Sequence, residues 1–215
     1  MSVLFDNLNE FGIRFFGTIK LFILSSLGAL VLGFLLAALR VSPVRAARMA
    51  GTGYVTLLRN TPLTLVMFFF AFGFPRLQIA DLSYFTLAVI ALTVYTAAFV
   101  CEVLRSGIST VSVGQTEASR ALGMRFIQTL SLIVLPQATR AVVPPLTNVQ
   151  IALLKNTAVA AGFSVVEAGG IYQTLSERGY STLIGLLWVS LGFLILIAPL
   201  ALAQRALERR WSVSR

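Results

Sequence analysis

Few residues in this chain could do chemistry, and their types narrow what that chemistry is. There is no histidine and a single cysteine, Cys101, so the commonest general base and metal ligand is missing and no internal disulfide can form. The only lysines are Lys20 and Lys155, and neither sits in the Gly-Lys-Ser/Thr sequence of a phosphate-binding loop. Bond-making chemistry, a bound metal and a resident cofactor are therefore not expected in this chain. Two groups remain. Glu117, Ala118, Ser119 and Gly123 form a polar segment ahead of Ile133, Leu135 and Pro136, and its small residue and helix-ending glycine would let a helix terminus enter a partner's groove. Lys155, flanked by Asn156 and Thr157 and seven residues beyond Asn148, is a cation in an apolar stretch. It suits attraction of an anion passing through.

The surroundings of both groups are apolar. Hydrophobic residues make up 57% of the 215, charged ones only 12%, and mean hydropathy is +0.88, far outside the range of soluble domains. A net charge of +9 does not mark a nucleic-acid binder, because that requires basic residues clustered on a polar face, whereas here they border apolar runs. The acidic, polar start (Asp6, Asn7, Asn9, Glu10) lacks the features of a signal peptide.

An uncharged helix of about 20 residues crosses a hydrocarbon core of about 30 Å. The expected spans are the uncharged runs Leu21–Leu39, Leu82–Cys101 and Gly179–Gln204, together with Leu57–Phe74 (interrupted near its start by Arg59-Asn60-Thr61-Pro62) and Leu146–Val166, which carries Lys155. The run Phe126–Thr139 is too short and contains Pro136. The expected fold is all-α, a polytopic membrane protein of about five transmembrane helices forming one transmembrane domain over 1–215, with a polar loop at 112–139.

Within that loop, Ser112 and Gln115 have capping-box spacing, Gly123 suits a left-handed helix stop, and Phe126, Leu130, Ile133 and Val134 fall on one helical face. Pro144-Pro145 suits a helix start. A helix beginning there carries Lys155 roughly 15 Å along its axis, close to mid-membrane, where a charge must face a polar cavity or a partner.

Five spans put the ends on opposite sides. Arg40, Arg45, Arg48, Arg59, Arg105, Arg120, Arg125, Arg140, Arg205, Arg209, Arg210 and Arg215 fall on one side, and Arg14, Lys20, Arg76 and Arg178 on the other. The positive-inside rule then predicts a cytoplasmic loop and C-terminus and an outer N-terminus.

The segment from Glu117 to Pro136 resembles the EAA loop of ABC importer permeases, the docking site for the ATPase. Gly17-Thr18-Ile19-Lys20-Leu21, Arg59-Asn60-Thr61-Pro62-Leu63, Glu102-Val103-Leu104-Arg105-Ser106-Gly107-Ile108 and Leu153-Leu154-Lys155-Asn156-Thr157 extend the resemblance to permeases of the polar amino acid uptake family, most like actinobacterial glutamate permeases. Ser119 stands where the motif has a second Ala, and Asn156 where many members have Asp. The resemblance implies a type I ABC importer in a bacterial cytoplasmic membrane. It further implies a second permease subunit, cytoplasmic ATPases that bind ATP and Mg, an extracytoplasmic amino-acid-binding protein, ATPase coupling through Glu117, Ala118, Ser119 and Gly123, and a substrate path past Asn148, Lys155, Asn156 and Thr157. Glutamate is the expected substrate, with aspartate or glutamine as alternatives. A secondary transporter subunit or a structural subunit of another complex are the rival readings, and an intramembrane hydrolase lacks a Ser-His pair.

Overall fold

The computed structural model describes residues 2–211. Arg215 and the side chain of Arg210, both counted in the charge asymmetry, lie outside the described residues. No strand occurs among those described. A short helix α1 (Ser2–Asp6) precedes α2 (Leu8–Val41), whose 34 residues rise about 51 Å at 1.5 Å each and overreach the membrane core. Its packing face is a stripe of small residues, Ser25, Ala29, Gly33 and Ala37, all buried. The partner is α5 (Tyr84–Ser109), which offers Ala91, Ala97 and Ala98. Small side chains let backbones approach where lipid supplies no hydrophobic drive between helices. A Cβ on Gly33 would lie 2.5 Å from Val100 and 3.0 Å from the Ala97 carbonyl.

Between them come α3 (Arg45–Arg59) and α4 (Leu63–Phe68), the latter running on through a π-helical turn to Leu77. The two halves bend by 103° at Asn60–Pro62. Pro62 supplies no backbone donor and keeps Thr61 out of helical geometry. Orphaned carbonyls are met locally: Asn60 Nδ2 donates to Thr56 O at 2.8 Å and Thr61 Oγ1 to Leu57 O at 2.8 Å. The expected single span Leu57–Phe74 is thus a bent pair whose first half begins at Arg45. Among the described residues four helices alone are long and apolar enough to cross a membrane, or five if the pair counts as one span.

The expected helix start at Pro144-Pro145 is not what forms. A helical run continues from α7 (Phe126–Thr129) through a π turn, Leu130–Val134, into α8 (Leu135–Asn156), with both prolines inside it. The π turn precedes Pro136, whose ring would clash with the carbonyl four residues back in a regular helix. The expected face is not buried as a unit: Phe126 is 73% exposed, Leu130, Ile133 and Val134 are half-buried, and Thr129 is the buried residue. Beyond α8 a 3₁₀ segment, Thr157–Phe163, leads to a connector holding α9 (Ile171–Glu177). The last helix, α10 (Thr182–Trp211), lies at the periphery, with Leu187, Leu194 and Ile195 more than 60% exposed.

Glu102 ties three helices together. Just past the expected span end at Cys101, its carboxylate accepts from Arg40 of α2 at 2.5 Å and from Arg105 at 2.6 Å, with Arg59 of α3 3.5 Å away.

Candidate functional site

The polar loop is a helix, a glycine stop and a second helix. α6 (Val113–Ala121) ends with Gly123 at φ +77. The Gly123 N–H donates to Arg120 O at 2.9 Å and the Met124 N–H to Ser119 O at 3.1 Å, the paired bonds of a left-handed helix stop. The start differs from expectation: Ser112 occupies the cap position without a side-chain bond. Gln115 Oε1 instead accepts from Gln137 Nε2 at 2.5 Å, tying α6 to α8. At the second helix, Gln128 Oε1 accepts the Arg125 N–H at 2.8 Å.

Of the four predicted loop residues, Glu117, Ala118 and Gly123 are exposed, and a Cβ on Gly123 would meet nothing within 4 Å. Ser119 points inward. It is 1% exposed, donates to Thr116 O at 2.8 Å and pairs with Thr129 Oγ1 at 2.9 Å, which clamps the two loop helices together. Sequence reading missed the apolar rim: Val113, Leu122, Phe126 and Ile127 are each at least 70% exposed. Exposed apolar side chains around a polar tip suit a protein partner.

The second predicted group divides. Asn148 and Lys155 are exposed on one stripe of α8, with Ala152 between them, while Asn156 is half-buried and Thr157 is buried with its hydroxyl on Leu154 O at 2.7 Å. Lys155 has no ion-pair or hydrogen-bond partner among the described residues, so an internal structural ion pair does not account for it. Because α8 begins before the prolines, its depth cannot be counted from Pro145. Lys155 sits past the middle of the continuous run Phe126–Phe163. Beside this stripe a cavity of about 190 Å³ is lined by Tyr95, Thr96, Phe99, Val149, Ala152, Leu153 and Asn156. Thr96 Oγ1 is buried without a partner, an unmet hydroxyl that sequence spacing did not mark.

A third feature was also unmarked. Glu167, just past the 3₁₀ segment, is fully buried. Its Oε2 accepts from Thr18 Oγ1 at 3.2 Å, and that hydroxyl accepts the Ala168 N–H at 2.9 Å. Burial pushes the Glu167 carboxyl above the usual range.

Long helices with apolar outer faces, joined by an exposed polar loop, mark a multi-pass membrane protein. The chain belongs to the family of binding-protein-dependent transport system inner membrane components, which it matches over residues 29–213. It is 41% identical over 213 residues to the glutamate transport system permease protein GluC of Corynebacterium glutamicum, covering 94% of this chain and 93% of that one. It is 36% identical over 213 residues to the probable glutamine ABC transporter permease protein GlnM of Bacillus subtilis, covering 98% and 97%. The fold matches the crystal structure of an amino acid ABC transporter with histidines at a TM-score of 0.90, with 23% identity and 96% of each chain covered.

Proposed function

We propose that this chain is the translocation subunit of an ATP-driven importer of polar amino acids, with glutamate as its substrate. The observation that carries this reading is the exposed Glu117-Ala118 tip and open left-handed Gly123 in a chain of this family. Cytoplasmic ATPases, which bind ATP and Mg, dock on this loop. A second permease subunit sits alongside, and an extracytoplasmic binding protein delivers substrate. The N-terminus lies outside and the loop and C-terminus inside, in keeping with the arginine distribution. ATP-driven closure of the ATPases moves the loops as rigid bodies and changes which side the cavity faces.

On the substrate path, the Asn148–Lys155 stripe and Asn156 offer polar contacts, and the Lys155 ammonium attracts carboxylates. That charge is compatible with glutamate without selecting it, since every amino acid has an α-carboxylate. The similarity to GluC is what favours glutamate. Uptake of labelled glutamate in cells that depend on this system, competed by a panel of amino acids, tests the assignment. Glutamate should compete best, followed by aspartate or glutamine. Stronger competition by a cationic or apolar amino acid would reject it, and uptake that persists with an inactive ATPase would favour a secondary transporter.

A further inference from the structure

Five guanidinium groups and one carboxylate gather where α2, α3 and α5 meet. Glu102 is engaged by Arg40, Arg105 and Arg59, so its single negative charge is already shared among three cations. On one side of this knot a cavity of about 540 Å³ is lined by Arg40, Arg45, Arg48, Met49, Thr52 and Arg105. Four of these six are arginines, and no carboxylate lines it. Arg48 Nη1 donates to the carbonyls of Ser42 at 3.1 Å and Pro43 at 3.4 Å, neither of which neutralises it. Arg45 has no partner among the described residues. The cavity therefore holds a surplus of positive charge that nothing among the described residues balances.

Guanidinium forks fit the oxygens of phosphate, and converging arginines are a common phosphate receptor. The position narrows the source. The uncharged run of α2 ends at Leu39, and the pocket begins at Arg40, the level at which a bilayer's headgroups lie. Met49 in its lining is 63% exposed, and Leu39, Val41 and Val44, next in sequence to its arginines, are 40%, 56% and 58% exposed, apolar surface that acyl chains would cover and a dissolved ion would not. Basic pockets between spanning helices at the cytoplasmic face are suited to acidic lipid headgroups.

We propose that this pocket holds the phosphate of an anionic phospholipid at the end of the first spanning helix. The proposal rests on the membrane placement of the chain and is independent of the amino acid carried.

The test uses the assembled transporter with its ATPase, in phosphatidylcholine nanodiscs containing increasing phosphatidylglycerol, with bound lipid counted by native mass spectrometry. Each basic residue near an anionic headgroup contributes roughly five-fold, so Arg45→Gln with Arg48→Gln should raise the phosphatidylglycerol needed for half-occupancy roughly 30-fold. Arg45→Lys with Arg48→Lys should recover most of the binding. Arg140→Gln with Arg205→Gln, an equal loss of exposed charge elsewhere, should change little. An equal shift in both Gln pairs means diffuse attraction and overturns the site. Saturation by inorganic phosphate in discs lacking phosphatidylglycerol, with no added effect of the lipid, assigns the pocket to a free ion and also overturns it. So does a Gln pair that sheds the ATPase while binding lipid like the wild type, because the pocket is then a protein contact. Should that pair not fold, Arg45→Gln alone carries the test with roughly a five-fold shift expected.

Discussion

Gly123 combines a backbone at φ +77 with open space around it, so a substitution there is strained by conformation, not by collision within the chain. A side chain in the left-handed region costs about 1–2 kcal/mol, and Gly123→Val adds bulk where the proposed ATPase docks. The variant should fold in the membrane yet lose co-purifying ATPase; ATPase recovered at wild-type yield would remove Gly123 from docking. Lys155 poses the complementary case. It is exposed and without a partner among the described residues, so Lys155→Met strands no counter-charge and should leave both folding and ATPase docking intact. A hydrogen bond to a charged group is worth about 1.5–3 kcal/mol, so glutamate uptake should fall roughly 10- to 100-fold. Undiminished uptake by the variant would take Lys155 off the path.

The connector after α8 shows how one element sets the protonation of a side chain. Its 3₁₀ turn at Ala168–Gly170 folds Glu167 against Thr18 of α2, and Gly169 permits this because a Cβ there would lie within contact of the Glu167 carboxylate and the Ala158 carbonyl. The folded chain binds the proton of Glu167 more tightly than the unfolded chain does, since burial raises its pKa. Stability from this group is thus fully present below the unfolded carboxyl value of about 4.3 and is lost as pH rises through the raised folded value. Thermal unfolding of the detergent-solubilised protein should show the wild type losing ground to Glu167→Gln as pH rises above the unfolded carboxyl value of about 4.3. Parallel curves for the two proteins above that value would show that Glu167 does not titrate in the fold.

At the scale of the whole molecule, the bent α3–α4 pair and the continuous α7–α8 run place the polar loop at one end and the α9 connector at the other. Single cysteines in a background lacking Cys101 report the orientation. Ser119, buried in the loop clamp, is a poor reporter, whereas Glu117 and Ile79 are exposed. Ile79→Cys should react with a membrane-impermeant reagent in intact cells, and Glu117→Cys only after permeabilisation. Labelling of Glu117→Cys in intact cells would invert the topology.

Composition alone determined that this chain lives in a membrane, and the Glu117-to-Pro136 spacing determined its family, because both depend on local order in the sequence. The left-handed stop at Gly123 and the breaking power of Pro62 were legible for the same reason, as glycine and proline act on their own backbone. Tertiary structure decided the rest. Pro144 and Pro145 continue a helix because the turns before and after them keep the run helical, which no rule for an isolated proline pair anticipates. Ser119 became a clamp and Glu167 a buried acid only when Thr129, ten residues away, and Thr18, 149 residues away, were brought beside them. A pairing at that separation leaves no mark on the periodicity of either segment.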